Sequence, residues 1–132
     1  MSRRMSCSMT VDAVRSRQKT VTRRHVDTWK TLKPGDRLTL IEKGMGLAKG
    51  ERQVVLADVE VVSVRVEPIT LLSSDIRYGR QEVTLEGFPD ADPVEWVWWW
   101  SKSHGTLPAC DTPPRSVLCR RIEWRYLDGA TT

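Results

Sequence analysis

The longest alternation of apolar and polar residues runs from Gln53 to Val66, where valines recur at nearly every second position. A period of two is typical of a strand that buries one face. The alternation breaks near Asp58, which predicts a bulge or a bend of the kind that a small barrel requires. Pro68 ends this predicted strand, because proline has no backbone N–H to donate to a sheet.

Three shorter segments also alternate. Met5–Met9 reads Met, Ser, Cys, Ser, Met, and Arg37–Glu42 and Val117–Leu127 alternate in the same way. The turn signal Pro34-Gly35-Asp36 leads into the second of these predicted strands. The glycines that follow Glu42 predict a loop before the long strand begins.

Two segments have helical patterns. Thr10 is a candidate N-cap for a short first helix that ends near Arg17. Asp92-Pro93-Val94-Glu95 combines an aspartate cap, a proline at the first helical position and a glutamate three residues after the cap. This second helix is predicted to reach Ser103 and to end at Gly105, where glycine breaks the pattern.

The pattern does not assign residues 69–90, and prolines in residues 105–116 predict a loop there. The elements that it does assign predict an α+β fold, a small mixed or antiparallel β-barrel with two main helices at its ends. A parallel β-α-β stack would need more helices than the two predicted here. A chain of 132 residues predicts a single domain over residues 1–132, with an ordered body at about 5–128.

The run Lys19-Thr20-Val21-Thr22-Arg23-Arg24 mixes cations with hydroxyl groups. Arginine and lysine donate to phosphate oxygens, and a threonine hydroxyl binds phosphate or becomes a nucleophile when activated. Residues 1–25 carry a net charge of +6, whereas the whole chain carries +4. The positive field therefore belongs to one end of the chain and predicts an anionic partner there. A solvated basic surface or a disordered arm is the alternative interpretation.

Other features argue against several classes of function. No apolar run is long enough for a membrane-spanning helix, and the N-terminus lacks the apolar block of a secretory signal, so we expect a cytoplasmic protein. Three cysteines, Cys7, Cys110 and Cys119, form no Cys-x-x-Cys pair, and we expect reduced structural thiols.

We predict no metal and no cofactor. The spacings of His104, Cys110 and Cys119 are unlike those of a zinc site. Gly44-Met45-Gly46 lacks the lysine and hydroxyl residue of a phosphate-binding P-loop. The two histidines, His25 and His104, follow the basic run and end a predicted helix, which are poor contexts for a Ser-His-Asp triad.

Six tryptophans are many for this length, and four of them lie on the second predicted helix. Trp96, Trp99 and Trp100 share one face at spacings of three and four, which predicts that they pack the helix onto the sheet. Trp98 points elsewhere and is the member of this group with the best chance of touching a ligand. Trp29 is the better candidate for stacking on a base, although plugging the mouth of the barrel is the alternative.

The segment from Ser8 to Arg24, with Leu32-Lys33-Pro34-Gly35-Asp36-Arg37-Leu38 after it, resembles the opening of an ASCH domain, a branch of the PUA-like superfamily. That opening has a short strand, a helix, a G/S-R-x-K-T-x-T-x-R loop and a P-G-D turn. Leu85-Glu86-Gly87-Phe88 is similar to the family's E-G-aromatic element, and Arg121–Leu127 resembles its last strand. The likeness covers roughly residues 5–128 and is greatest to small stand-alone ASCH proteins of bacteriophages.

Some ASCH relatives hydrolyse the acyl amide of N4-acylated cytidine. Their lysine, threonine and glutamate fall on Lys19, Thr22 and Glu86 here. The resemblance therefore implies a base at Lys19, a nucleophile at Thr22, and an orienting or proton-relaying group at Glu86. The alternative is that Lys19 binds phosphate, Thr22 bonds backbone and Glu86 pairs with an arginine of the loop.

The first functional hypothesis is a domain that binds nucleic acid, RNA more than DNA, in a cleft at the basic run. The predicted binding residues are Arg17, Lys19, Thr20, Thr22, Arg23, Arg24 and Trp29. The second hypothesis is a hydrolase that uses the same pocket, either an amidohydrolase on N4-acylated cytidine or a ribonuclease. The third is a bacteriophage effector that binds a host protein. We expect no membrane partner and a monomer.

Overall fold

A computed structural model describes residues 3–44, 49–104 and 117–127. This part of the chain contains five strands and four helices. In chain order they are β1 Arg3–Ser6, α1 Val11–Arg15, β2 Val21–His25, β3 Arg37–Ile41, β4 Val55–Pro68, α2 Leu71–Ser74, α3 Ile76–Leu85, α4 Pro93–Ser103 and β5 Leu118–Tyr126.

The strands form one curled half-barrel sheet in the order β1-β3-β4-β5-β2. β1 pairs with β3 in parallel, and the other three pairings are antiparallel. The predicted α+β fold with a mixed sheet is confirmed. The strands predicted at Arg37–Glu42 and Val117–Leu127 lie within one residue of β3 and β5.

The number of helices was predicted wrongly, since α2 and α3 occupy most of the segment that the pattern left unassigned. α2 has only four residues. The buried side of α3 consists of Gly79, Glu82 and Val83. Because a glycine and a glutamate occupy two of these positions, the sequence lacks the apolar residues at helical spacing that would have predicted the helix. Gly79 is required there, because a Cβ atom at this position would lie 1.9 Å from the carbonyl oxygen of Leu72 in α2.

β4 has two irregularities, one before and one after Asp58, where the pattern predicted a single bulge or bend near that residue. The register of β4 with β5 shifts between Val61 and Ser63, and its register with β3 shifts between Leu40 and Ile41. The first predicted strand is also displaced, since β1 ends at Ser6. Its last predicted residues turn into α1, as the bond from Thr10 N to Cys7 O shows (3.1 Å).

Two apolar clusters fill the interior. The first lies between the sheet and α1, with Leu38, Leu40, Val59 and Ile122 fully buried. The second joins the helices α2, α3 and α4 to the end of the sheet. Its members are Ile69, Leu72, Val83, Trp96, Val97, Trp100 and Cys119.

The N-terminal cap of α4 is as predicted, with Asp92 accepting from the N–H of Glu95 at 3.1 Å. The predicted stop at Gly105 lies outside the described residues. Of the tryptophans predicted to be buried, Trp96 and Trp100 are, but Trp99 is 36% exposed. The buried stripe of α4 also includes Val97 and Ser101, which places Trp99 at its margin.

Within the described residues, no helix is long and apolar enough to cross a membrane. Cys7 and Cys119 are buried free thiols, and burial raises the pKa of Cys119 to about 12. The third cysteine, Cys110, lies outside the described residues. The same part of the chain contains no cluster of side chains suited to a metal ion.

Candidate functional site

A cavity of about 320 Å³ opens where the two edge strands of the half-barrel approach each other. β1 and β2 stand at opposite ends of the strand order, yet Arg24 Nη2 in β2 donates to Ser6 O in β1 at 2.7 Å. The turn between β1 and α1 and the C-terminal ends of α3 and α4 complete the walls. The curl of the sheet therefore creates the cavity.

The ends of α1 and α3 determine where the cavity's lysine and glutamate lie. Both helices end in Schellman motifs, in which the backbone turns left-handed just after the helix. In α1 the left-handed residue is Arg17 (φ 65°), and Gln18 N donates to Ala13 O at 2.9 Å. In α3 it is Gly87 (φ 102°), and Phe88 N donates to Val83 O at 2.8 Å.

These two turns bring Lys19 against Glu86. Lys19 Nζ donates to the backbone oxygen of Glu86 at 2.6 Å and lies 3.3 Å from its Oε1 atom. A Cβ atom on Gly87 would lie 2.9 Å from the Cβ of Ala13, so glycine permits the close approach of the two turns. The E-G-aromatic element of the sequence thus has a structural reason.

Lys19, Thr22 and Glu86 all line the cavity, and each is at most 5% exposed. Thr22 Oγ1 accepts from Arg24 Nε at 3.3 Å. In the described part of the chain, no hydrogen bond joins Thr22 to Lys19. The structure therefore brings the three predicted catalytic residues to one cavity, with a direct contact between Lys19 and Glu86.

Arg23 also lines the cavity, but its guanidinium belongs to a buried network of charges. Its guanidinium is 2.5 Å from Glu82, 2.9 Å from Glu67 and 3.1 Å from Glu86, measured to the nearest carboxylate oxygen. Its side chain is fully buried, and Arg121 binds the same oxygen of Glu82, Oε1, at 2.6 Å. Because three carboxylates surround it, Arg23 is not available to an external phosphate, which corrects its predicted role.

The network keeps Arg23 and Glu82 charged. Burial opposes the charge on Arg23, but the attraction of Glu86, Glu82 and Glu67 outweighs it and raises the pKa of Arg23. Burial likewise opposes the negative charge on Glu82, and the hydrogen bonds from Arg121 and Arg23 outweigh it, so the pKa of Glu82 is lowered.

Arg24 is the cation that remains open to a ligand. It is half-buried in the cavity wall, and its hydrogen bonds go to Thr22 Oγ1 and to Ser6 O. Within the described residues it has no carboxylate partner. The bonds that it makes hold the guanidinium in place without neutralising its charge, which suits it to bind an anion.

Aromatic side chains form the opposite wall of the cavity. Phe88 and Trp99 pack with ring centroids 5.3 Å apart, and Trp96 lies 5.7 Å from Trp99. Trp99 is the most exposed of these three, whereas Trp98 does not line the cavity. The tryptophan of α4 that is both exposed and on the cavity wall is therefore Trp99, not the predicted Trp98.

Three predicted binding residues lie outside the cavity lining. Arg17 closes α1, donates to Val14 O at 2.9 Å and covers the ring of Tyr126. Thr20 joins α3 through the bond from its N–H to Leu85 O (3.0 Å). Trp29 packs on the first apolar cluster with the guanidinium of Arg3 over its ring, which fits the alternative of a plug in the barrel mouth.

Sequence reasoning missed the cavity residues Cys7, Phe88, Trp99 and His104. Burial raises the pKa of Cys7, which favours the neutral thiol over a reactive thiolate. Phe88 carried a signal, since it follows Glu86-Gly87 in the motif. His104 had no signal in the sequence, because the residues of β1 and β2 that line the cavity with it are distant in the chain.

Comparison with known structures identifies the fold. The chain aligns over 89% of its length with the ASCH domain from Lactobacillus crispatus JV V101, covering 70% of that chain at 13% identity and a TM-score of 0.50. The chain has an ASCH-type, PUA-like fold.

Two further solved structures are similar to this chain. A protein from Enterococcus faecalis V583, EF3133 of family DUF984, aligns over 96% of this chain and 76% of its own, with 16% identity and a TM-score of 0.61. A hypothetical protein, PH0355, aligns over 96% of this chain and 100% of its own, with 15% identity and a TM-score of 0.59. No family model and no curated protein sequence matches the chain.

Proposed function

We propose that this ASCH-type domain binds nucleic acid in the cavity between β1, β2 and α4, and that its preferred ligand is single-stranded RNA. The observation that carries the proposal is the pairing of Arg24, a cation without a carboxylate partner in the described residues, with the aromatic wall of Phe88 and Trp99. Arginine binds phosphate, and aromatic rings stack on unpaired bases.

The size of the cavity supports a single nucleotide as the unit that is bound. Its volume of about 320 Å³ lies in the range of small-molecule sites. A base in a duplex cannot enter such a cavity without leaving the stack, whereas a base in a single strand can. Sequence-specific RNA recognition relies mostly on splayed, unstacked bases, which is why RNA is preferred over duplex DNA.

The charge outside the cavity also supports an anionic ligand. Arg3 and Arg4 are exposed on β1, the strand whose last residue, Ser6, lines the cavity. Exposed cations at this end raise the local concentration of a polyanion and speed its approach. We therefore propose that the exposed arginines attract the phosphates of the strand outside the cavity and that Arg24 binds a phosphate within it.

The test is the affinity of the protein for fluorescein-labelled ten-nucleotide RNA, measured by fluorescence anisotropy. Arg24→Ala should weaken binding at least tenfold, because a charge-assisted bond to phosphate is lost. Arg15→Ala, which removes an exposed arginine outside the cavity, should change affinity less than threefold. Equal affinities of wild type and Arg24→Ala would contradict the proposed site, and no binding to any RNA or DNA would contradict the function.

A hydrolase is the second candidate, favoured by the convergence of Lys19, Thr22 and Glu86 on the same cavity. In the proposed reaction Thr22 Oγ attacks the acyl carbon of an N4-acylated cytidine and passes its proton to Lys19 Nζ. The C–N bond breaks, the leaving amine takes that proton, and water then cleaves the acyl ester of Thr22. Arg24 Nε donates to Thr22 Oγ1, which leaves the hydroxyl hydrogen free for transfer.

Release of acetate from N4-acetylcytidine tests the reaction. Thr22→Ala and Lys19→Arg should each abolish release, since arginine cannot serve as a base at neutral pH. Lys19→Arg should still bind RNA in the anisotropy assay. Absence of turnover by the wild type, together with RNA binding, would leave the binding function and reject the hydrolase.

The remaining hypotheses stay predictions from the sequence. They are ribonuclease activity, a host-protein partner, a bacteriophage origin, a cytoplasmic location and a monomeric state.

A further inference from the structure

His104 lines the cavity at the C-terminal end of α4, where it is the residue that caps the helix. Its ring stacks on Trp100, with centroids 3.9 Å apart and planes 20° apart. Trp100 in turn is fixed to the sheet, because its Nε1 donates to Arg23 O at 3.1 Å. The imidazole is therefore held by a rigid part of the core and not by a surface loop.

The hydrogen bond of His104 determines which ring nitrogen carries the proton. Nδ1 lies 2.8 Å from the backbone oxygen of Trp100. A carbonyl oxygen can only accept, so Nδ1 must be the donor. In the neutral ring the other nitrogen, Nε2, then has a free lone pair. Within the described residues Nε2 has no hydrogen-bond partner.

The surroundings of His104 keep the ring neutral. Burial lowers the pKa of His104 below its usual value, and the bond to Trp100 O opposes this effect without reversing it. The charged and titratable groups that face it are Arg24 and His25 on β2, which lower the pKa further, and Glu86 at the end of α3, which raises it. At neutral pH the cavity therefore contains a fixed acceptor beside the cation Arg24.

We propose that His104 is a specificity-determining residue of the cavity. Its Nε2 accepts a hydrogen bond from a donor group of the bound nucleotide, either an N–H of the base or the 2′-hydroxyl of the sugar. The inference rests on the proposed nucleic-acid function and deepens it. Nε2 without a proton cannot donate to a phosphate oxygen, which is also an acceptor. His104 therefore contacts the base or the sugar, whereas Arg24 contacts the phosphate.

The pH dependence of RNA binding distinguishes an acceptor from a cation. An acceptor is lost when Nε2 is protonated, so wild-type affinity should be constant from pH 8 to 6.5 and should fall about tenfold as the pH drops towards 5. A histidine that contacts phosphate would give the opposite sign, because its protonation adds a positive charge. The measurement is anisotropy with the same ten-nucleotide RNA at constant ionic strength.

Three variants assign the effect to His104. His104→Gln supplies a carbonyl acceptor that cannot be protonated, so it should retain at least a third of the neutral-pH affinity and lose the pH dependence. His104→Ala should bind about tenfold more weakly at neutral pH, also without pH dependence. His25→Ala is the matched control, because the chain has only two histidines. It should keep the neutral-pH affinity of the wild type and still lose affinity on acidification, with the loss beginning at a slightly higher pH because His25 no longer lowers the pKa of His104.

Two pairs of ligands identify the donor. If the 2′-hydroxyl is bound, a DNA strand of the same sequence should bind the wild type about tenfold more weakly than RNA does. His104→Ala should bind the DNA and the RNA with the same affinity. If a base N–H is bound, the wild type should distinguish oligocytidine, which presents an exocyclic amine, from oligouridine, which presents a carbonyl oxygen at that position. His104→Ala should lose this preference.

Some outcomes overturn the inference alone. They are affinity that rises on acidification, affinity of His104→Ala equal to that of the wild type, and a wild type that discriminates neither pair of ligands. If the wild type binds no nucleic acid at any pH, the proposed function fails and the inference fails with it. Thermal melting of each variant separates loss of affinity from loss of fold.

Discussion

At the scale of single residues, the adjacent arginines Arg23 and Arg24 have different roles. Side chains alternate between the two faces of a strand, so neighbours on β2 point in opposite directions. The guanidinium of Arg23 enters the buried network of Glu67, Glu82 and Glu86, whereas that of Arg24 lies in the cavity wall without a carboxylate partner among the described residues. The same type of side chain is thus neutralised by carboxylates at one position and keeps its charge at the next.

Arg23→Ala should lower the free energy of unfolding by about 3–5 kcal/mol, because it leaves buried carboxylates without their partner. Urea unfolding followed by tryptophan fluorescence measures the change. Arg24→Ala is the control, and it should cost less than about 1 kcal/mol, since its guanidinium has no carboxylate partner in the described residues. Similar losses for the two variants would contradict the division between network and cavity.

The same network makes the free energy of unfolding depend on pH in the acidic range. Hydrogen bonds from Arg23 and Arg121 lower the pKa of Glu82, and Arg23 and Arg65 do the same for Glu67, in each case against the effect of burial. A group whose pKa is lowered by folding stabilises the native state above its unfolded pKa of about 4.5 and loses that contribution as the pH falls.

We therefore expect the free energy of unfolding to decrease steadily below about pH 5. A smaller decrease should begin near pH 6.5, because the pKa of His104 is lowered in the folded state and the unfolded chain takes up that proton first. Glu82→Gln cannot titrate at this position, so its unfolding free energy should depend less steeply on pH in the same window. Urea unfolding at pH 3.5 to 7 gives both slopes. Identical slopes for the variant and the wild type would show that the network does not cause the acid dependence.

At the scale of elements, helix ends determine the geometry of the site. The Schellman motifs that end α1 and α3 place Lys19 and Glu86 in contact, and the C-terminal end of α4 supplies Trp99 and His104. A helix end is well suited to this purpose, because its geometry is set by backbone hydrogen bonds and its side chains are free to face a cavity.

Two neighbouring tryptophans of α4 should therefore respond differently to substitution. Trp100→Ala should cost about 3–5 kcal/mol of stability, since Trp100 is 1% exposed and packs in the second cluster. Trp99→Ala should cost less stability and should weaken RNA binding by about 1–3 kcal/mol through lost stacking. Thermal melting and anisotropy measure the two effects. Unchanged affinity of Trp99→Ala would remove the aromatic wall from the binding site.

At the scale of the whole molecule, the curl of the sheet brings its two edge strands together at the cavity. β1 and β2 begin the described chain, and three other strands separate them in the sheet. Their bridge through Arg24 and Ser6 concentrates the basic end of the chain around one cavity. Part of that charge is neutralised internally, because Lys19 and Arg23 pair with buried glutamates.

This neutralisation predicts a moderate salt dependence of RNA binding. The logarithm of affinity changes with the logarithm of salt concentration by about −0.7 for each phosphate contacted on a single strand. Contacts from Arg24 and the exposed Arg3 and Arg4 give a slope of about −2. Contacts from all seven cations of residues 1–25 would give about −5.

Anisotropy titrations between 50 and 200 mM salt measure this slope. Arg24→Ala should make it shallower by about 0.7, the contribution of one phosphate. A slope near −5 would mean that Lys19 and Arg23 leave their glutamates to bind phosphate. A slope of zero would place the ligand away from the basic end of the chain.

Local signals were enough for several elements. The period of two located β3 and β5, and Asp92-Pro93 located the start of α4, because these signals act within a few residues of chain. The ASCH resemblance predicted one site for Lys19 and Glu86, and the alternative interpretation paired Glu86 with an arginine of the loop. In the structure Glu86 contacts both Lys19 and Arg23. α2 and α3 were missed, because α3 buries a glycine and a glutamate whose partners lie on other elements.

The sequence by itself determined the fold class, the ends of β3 and β5, and the concentration of basic residues at one end of the chain. Only the tertiary structure decided which cations are free, since Glu67, Glu82 and Glu86 lie more than forty residues from Arg23 in the chain. It also decided which aromatic rings and which histidine face the cavity. Periodicity specifies the side of an element that is buried, but partners distant in sequence decide whether a polar side chain is neutralised or available.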